Sequence, residues 1–243
     1  MKSFTTKIMA LGLTAIMLTG AVTACKTTKT AVAPEANAQA KQEQSAGENG
    51  GMQVVGGWTI PESHEVTEEL KKYYKAACSK YDGTGSYHEP VALLATQVVN
   101  GTNYCFYCVS TMKSSSGPLS PVIAYVNVKP SGEADFIKTD RDILPGSGEQ
   151  LPGGWENAED YKITDEIKAI LEKASATLTG ATYEPVAYIG SQVVSGKNHY
   201  ILCKMTPSVK ELNGSASYVF ITVYENLEGK CEITNTTDYK LGI

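Results

Sequence analysis

The chain has 243 residues, a formal net charge of −5, and lysines and arginines that are scattered without a basic run. A nucleic-acid-binding surface needs a concentrated stripe of positive charge, so this composition argues against nucleic acid as a partner. The three histidines share no spacing with carboxylates or cysteines that would suit a metal site, so we expect no metal and no cofactor.

The chain begins with the pattern of a secretion signal. Lys2 and Lys7 precede an apolar segment, 8–18. This segment is shorter than the roughly 20 apolar residues needed to span a bilayer. We therefore expect residues 1–24 to be a signal peptide that is removed. The following "VTAC" resembles a bacterial lipobox, which implies that Cys25 carries a lipid and anchors the protein to a bacterial envelope membrane, outside the cytoplasm. The alternative is ordinary secretion with Cys25 unmodified.

Beyond this leader the sequence contains a tether and then an internal repeat. Residues 25–51 have no aromatic residue and no apolar periodicity, which is typical of a disordered segment. The motif "QVVNGTNY" begins at Gln97, and "QVVSGKNH" begins 95 residues later, at Gln192. Solenoid repeats are about 20 to 50 residues long, so this spacing predicts a duplicated domain. We expect one domain over 52–148 and another over 149–243, each folding by itself.

Each copy has the pattern of one helix followed by strands. Apolar residues recur at three- and four-residue spacing from Val66 to Tyr81 and from Ile163 to Leu178, and each run opens with threonine and two acidic residues. Only strand-like segments follow, in the first copy over 91–99, 102–112, 122–128 and 134–139. We predict the α+β class, with an antiparallel sheet wrapped on one α-helix in each domain.

The repeated motif resembles part of a known family. "QVVNGTNY" is similar to the first inhibitory hairpin of the stefin-type cystatins, Gln-Val-Val-Ala-Gly followed by Thr-Asn-Tyr, and "LPGGWENAEDYKITDEI" resembles their Pro-Gly-Gly trunk and helix. The resemblance covers nearly all of both copies. It implies two tandem cystatin-like domains that inhibit papain-like cysteine peptidases tightly and reversibly, by inserting a Gly-Gly trunk and two hairpin loops into the active-site cleft. Such inhibition is steric, so we expect no catalytic residues and no enzyme activity.

The resemblance places peptidase contacts at equivalent positions in the two copies. The trunks and first hairpins comprise Gly56, Gly57, Gln97, Val98, Val99, Asn100 and Gly101, and Gly153, Gly154, Gln192, Val193, Val194, Ser195 and Gly196. The second hairpins are expected at Pro118 and Leu119 and at Pro207 and Leu212. Physical chemistry supports the first set, since glycine permits a sharp turn and a buried valine contributes about 1.5 kcal/mol or more. The glutamines suit a bracing role as well as a binding role.

The cysteines allow one disulfide prediction and one exclusion. Cys203 and Cys231 stand in successive strand-like runs of an extracytoplasmic protein, and we predict that they pair. Cys105 and Cys108 form a C-x-x-C motif within a strand-like segment, which places their side chains on opposite faces. We therefore expect one core cysteine and one surface or disulfide-bonded cysteine there rather than a redox pair.

Two questions stay open at the level of the sequence. Trp58 and Trp155 follow the two Gly-Gly pairs, where they suit either a peptidase anchor or packing onto their own sheet. A second hypothesis for the function is a non-inhibitory surface-binding or adhesion module, which the absence of tryptophan in the second hairpins allows.

Overall fold

Two short helices begin at capping threonines, as predicted. In a computed structural model that describes residues 56–80, 86–112, 120–141, 143–146, 153–208 and 215–243, helix α1 spans Glu68–Ser79 and helix α2 spans Asp165–Ser175. The Oγ1 atoms of Thr67 and Thr164 each accept a hydrogen bond, 3.3 Å long, from a backbone N–H three residues on. The acidic residues in each first turn add a favourable interaction with the helix dipole. The predicted signal peptide, Cys25 and the tether lie outside the described residues.

The strands form two five-stranded antiparallel sheets, one from each copy of the repeat. The first sheet has the order β1-β2-β3-β4-β5 and the second the order β10-β9-β8-β7-β6. The strands of the first sheet are Trp58–Thr59, Ser86–Val99, Gly101–Met112, Ser120–Val128 and Ala134–Asp140, and those of the second are Trp155–Asn157, Ala181–Val194, Gly196–Pro207, Ser217–Glu225 and Cys231–Tyr239.

Each helix packs on one face of its own sheet. α1 buries Tyr74 and Ala77 in a cluster with Phe106, Cys108 and Ala124. α2 does the same through four apolar residues, and its cluster contains Ile167, Ile170, Leu171, Ala174, Ile201, Cys203, Val219 and Ile221. This half of the packing follows the apolar periodicity of the sequence.

The other faces of the two sheets pack against each other and form a single shared core. Aromatic and aliphatic side chains from both copies make up this core, among them Leu94, Tyr107, Ile123, Tyr125, Ile189, Tyr200, Leu202, Tyr218 and Phe220. The strands β4 and β9 are therefore covered on both sides, and their central residues are buried without alternation. The result is a layered arrangement of helix, sheet, sheet and helix.

Polar contacts between the copies include three from tyrosines at the ends of β9 and β10, in addition to one from Lys204 of β8 to the carbonyl oxygen of Pro61. The Tyr218 hydroxyl donates to the carbonyl oxygen of Leu94 over 2.6 Å. The hydroxyls of Tyr125 and Tyr239 lie 2.6 Å apart, and Tyr239 also donates to Asp140 Oδ2 over 2.7 Å. These buried hydroxyls are paired across the boundary, so the boundary has the character of a protein interior.

The predicted α+β class is wrong. The described residues are mainly antiparallel strand, in two five-stranded sheets with only two short helices, and the molecule is better described as a predominantly β sandwich. The prediction assumed that each sheet covers a helix on one face and meets solvent on the other. A second sheet occupies the outer face instead, which the spacing of the repeat did not indicate.

The predicted disulfide is also wrong. The five cysteines in the described part of the chain are all free, and Cys203 is buried beneath α2 whereas Cys231 is half-buried at the start of β10. For the C-x-x-C motif, the placement of the two side chains on opposite faces is confirmed, whereas the expectation of one surface or disulfide-bonded cysteine is wrong, because both thiols are buried and free. Cys105 faces the shared core and Cys108 faces α1, and burial raises the pKa of both thiols. A thiolate is disfavoured at both positions.

Candidate functional site

The two predicted hairpin tips are present. β2 and β3 pair to their last residues and leave Asn100 as the apex, and β7 and β8 leave Ser195 in the same way. Gly101 and Gly196 follow these apices with φ angles of +97° and +121°, which residues with a side chain rarely adopt. The Asn-Gly and Ser-Gly pairs in the sequence are therefore true turn signals.

A second reason for glycine at these positions lies inside the protein. A Cβ atom at Gly101 would lie 2.2 Å from the carbonyl oxygen of Val128, and one at Gly196 would lie 2.4 Å from that of Glu225. Both oxygens belong to the next strand of the same sheet. The close approach of that strand excludes a side chain, and no contact with another protein is needed to explain the glycine.

The valines at the tips are exposed to solvent. Val98 and Val99 are 38% and 42% exposed, and Val193 and Val194 are 65% and 42% exposed. Four aliphatic side chains at two turns do not contribute to the core of this chain. They are available to a partner, and burying each one would stabilise a complex by about 1.5 kcal/mol or more.

Each Gly-Gly trunk lies beside the hairpin tip of its own copy. β1 pairs with β2 so that Trp58 is opposite Gln97, and β6 pairs with β7 so that Trp155 is opposite Gln192. The glycines just before these tryptophans, Gly56 with Gly57 and Gly153 with Gly154, therefore run alongside the valines. The structure brings together the trunk and first-hairpin residues that the sequence analysis selected.

A hydrogen-bonded brace fixes this arrangement in both copies. Gln97 Nε2 donates to the carbonyl oxygen of Gly56 over 2.8 Å, and Asn103 Nδ2 donates to Gln97 Oε1 over 2.8 Å. The equivalent bonds in the second copy join Gln192 to Gly153 over 2.8 Å and Asn198 to Gln192 over 2.9 Å. Both polar ends of each glutamine are thus satisfied within the chain, which favours the bracing role over direct contact with a partner.

The two tryptophans fold back onto their own sheets. Trp58 packs edge-on against Tyr125 with ring centroids 5.6 Å apart, and Trp155 lies 5.5 Å from Tyr200. Both are partly buried against the shared core. Of the two readings left open by the sequence, packing onto the protein itself is the one that the contacts support.

Of the four residues predicted for the second hairpins, Pro207 alone lies in the described part of the chain, and it is not at a tip. Pro207 is the last residue of β8, paired with Ala181, at the opposite end of the strand from Gly196. Pro118, Leu119 and Leu212 lie outside the described residues. The connections that contain them join strand ends remote from the tips, because successive antiparallel connections alternate between the two ends of a sheet.

The turns that do lie beside the tips are residues 129–133 and 226–230. Their ends are joined by matching backbone hydrogen bonds, from Lys129 N–H to Glu133 O over 2.8 Å and from Asn226 N–H to Lys230 O over 3.0 Å. The sequence analysis did not select them. Their signals were the "KPSGE" and "NLEGK" turn residues, together with the rule that every second connection returns to the same end of the sheet.

We call each group of trunk, hairpin tip and adjoining turn a tip surface. The first tip surface comprises Gly56, Gly57 and residues 97–101 and 129–133. The second comprises Gly153, Gly154 and residues 192–196 and 226–230.

One buried histidine lies close behind the second tip surface. His199 Nδ1 is 3.1 Å from the Tyr188 hydroxyl, and His199 Nε2 is 3.2 Å from Glu225 Oε2. Burial lowers the pKa of His199, and Glu225 partly offsets that effect. Within the ranges that the structure describes, no group of three or more His, Cys, Asp or Glu side chains is arranged to hold a metal ion.

No known protein family matches this chain, and no curated protein matches it either.

Proposed function

We propose that this protein is a reversible inhibitor of papain-like cysteine peptidases, which blocks the active-site cleft sterically with its tip surfaces. The observation that carries the proposal is the side-by-side placement of a Gly-Gly trunk and exposed valines, held by the same glutamine brace in both copies. The resemblance of "QVVNGTNY" and "LPGGW" to stefin-type cystatins supports it.

The arrangement suits occlusion rather than catalysis. The trunk glycines carry no side chain that would hold the backbone away from a cleft wall, and the valines offer aliphatic area to its floor. Because the brace fixes the trunk against the hairpin before binding, little conformational entropy is lost on association. Such a preformed wedge would cover the catalytic thiol without reacting with it.

We also propose that a lipid on Cys25 tethers the protein to a bacterial membrane on its extracytoplasmic side. Neither helix in the described part of the chain is long and apolar enough to cross a membrane. The lipobox-like "VTAC" supports attachment through lipid. The C25S variant should leave the membrane fraction for the soluble fraction, and retention in the membrane fraction would contradict the lipid anchor.

The inhibitory proposal is tested by asking whether binding needs an open cleft. The purified full-length chain, kept in detergent micelles, should inhibit papain and bind it. Papain whose catalytic cysteine carries a bulky peptidyl blocking group should not bind, whereas papain with only a small alkyl group on that cysteine should. Equal binding to all three forms would point to a surface-binding module that leaves the cleft open, and would contradict the proposal.

A further inference from the structure

The two tip surfaces share one frame but present different chemistry in the turn beside the hairpin. In the second copy the turn carries Leu227, which is 86% exposed, together with one ion pair between Lys230 and Glu228, 3.2 Å apart. This turn is held next to the tip, because Lys197 pairs with Glu225 and the Tyr224 hydroxyl donates to the carbonyl oxygen of Ser195. Leu227 therefore adds an exposed aliphatic side chain on the turn next to the hairpin of Val193 and Val194.

The equivalent turn of the first copy is charged. Lys129 lies 3.0 Å from Glu133 and 2.8 Å from Asp135, and Lys80 lies 2.7 Å from each of the same two carboxylates. These four side chains form one network between α1 and the turn. Pro130 stands where the second copy has Leu227, and the valines of this tip are less exposed in total.

The difference predicts unequal binding to an apolar cleft. A partner that covers the second tip surface removes three exposed aliphatic side chains from water, which is favourable, and meets one ion pair, Lys230 with Glu228. A partner that covers the first surface also removes water from four charged groups whose mutual attraction is already satisfied, so their desolvation opposes binding. The cost of removing water from this network therefore opposes the favourable burial of Val98 and Val99.

Building on the proposed function, we infer that the second tip surface is the dominant peptidase site and that Leu227 determines its preference for an apolar cleft wall. The first tip surface is a weaker site for the same class of peptidase. The assignment concerns the partner's chemistry: the second surface selects a cleft lined by aliphatic or aromatic side chains next to the catalytic cysteine.

The test compares matched variants of the full-length chain against papain. One background carries V98D and V99D, which disables the first tip, and the other carries V193D and V194D, which disables the second. The first background should inhibit only about twofold more weakly than the wild type, because the weaker site is lost, and the second should inhibit at least tenfold more weakly. In the first background L227S should raise the inhibition constant about tenfold. In the second background P130L should lower it severalfold, because it places leucine at the equivalent position.

The outcomes separate the two proposals. Stronger loss from V98D and V99D than from V193D and V194D would overturn the dominance of the second surface. An unchanged constant for L227S, in a variant with the wild-type melting temperature, would overturn the role of Leu227 while inhibition itself stands. Absence of inhibition by the wild-type chain would overturn the proposed function and this inference with it.

Discussion

The frame of the two tip surfaces is nearly the same, whereas the side chains that they display differ. Each glutamine bonds a trunk carbonyl and accepts from an asparagine, with distances that agree within 0.1 Å between the copies. The neighbouring turn belongs to a network of four charged groups in one copy and carries an exposed leucine with a single ion pair in the other. The repeat thus preserves backbone geometry and leaves chemistry free to diverge, and the predictions below test where the equivalence holds and where it ends.

The largest effect on stability is expected in the shared core, to which both copies contribute side chains. Leu202 is fully buried between the sheets, at the position equivalent to Tyr107 of the first copy. L202A should lower the free energy of unfolding by about 2–5 kcal/mol. The variant should still unfold in a single transition, because Leu202 belongs to a core that both sheets share and both are therefore weakened together. Calorimetry that resolves two transitions, with only one shifted by L202A, would show that the copies fold separately.

The next largest effect is expected at the hairpin glycines. G101A forces a Cβ atom onto the Val128 carbonyl oxygen at an unfavourable φ, and should destabilise the protein by about 2–4 kcal/mol. Gly132 has a similar φ of +84° but open space around its Cβ position, so G132A should cost only about 1 kcal/mol. Denaturant titration of both variants measures the difference. Equal losses would mean that φ alone, and not the neighbouring strand, requires glycine at position 101.

A smaller effect is expected from the brace. Q192L leaves the Asn198 amide and the Gly153 carbonyl without their partner, at a site that is partly open to water, and should cost about 1 kcal/mol of stability. The variant should also weaken inhibition by the second tip surface severalfold, because its trunk is no longer held. Q97L should act in the same way on the first surface. Full inhibition by Q192L, measured with the first tip disabled, would show that the trunk needs no brace.

The smallest effect concerns the pH dependence of stability. It involves His199 of the second copy, whose equivalent in the first copy is Tyr104. The pKa of His199 is lowered by burial, with Lys197 acting in the same direction and Glu225 and Glu166 opposing it. The unfolded chain therefore binds a proton near pH 6.5 that the folded chain does not yet bind. The contribution of His199 to the free energy of unfolding should be fully present above pH 6.5 and should be lost as the pH falls below that value.

The H199Q variant should reduce this acid sensitivity, and the remainder should come in part from His88, whose pKa is also lowered by burial and by Arg141. Urea midpoints of the wild type and H199Q at pH 5 and pH 7.5 measure the contribution. An identical pH dependence in the two proteins would contradict a contribution from His199.

The helix caps and hairpin turns of this fold could be predicted from the sequence. The packing of the two sheets against each other was not predicted. The caps at Thr67 and Thr164 and the turns at Gly101 and Gly196 are set by residues close in the sequence, so they could be predicted from short motifs. The meeting of the two sheets depends on surfaces far apart in the chain. One signal was available, because 122–126 and 219–223 are unbroken apolar or neutral runs of the kind found in strands buried on both faces.

The trunk and first-hairpin part of the candidate site was predicted, and the neighbouring turns were not. The trunk and hairpin residues lie together because β1 and β6 pair directly with the hairpin strands that carry Gln97 and Gln192. Pro207 was predicted from the resemblance to the second hairpin of the cystatins, but it lies at the opposite end of β8 from Gly196. Counting strand reversals from the tip would have led to Leu227 instead.

The central claim is that the exposed valines of the two tips are the inhibitory surface. The direct measurement is active-site titration of papain with a variant in which Val98, Val99, Val193 and Val194 are all aspartate. Its control is V91D, which places the same charge on an exposed valine of β2 away from the tip. We expect the fourfold variant to keep its melting temperature and lose inhibition, while V91D inhibits as the wild type does. Undiminished inhibition by the folded fourfold variant would contradict the claim.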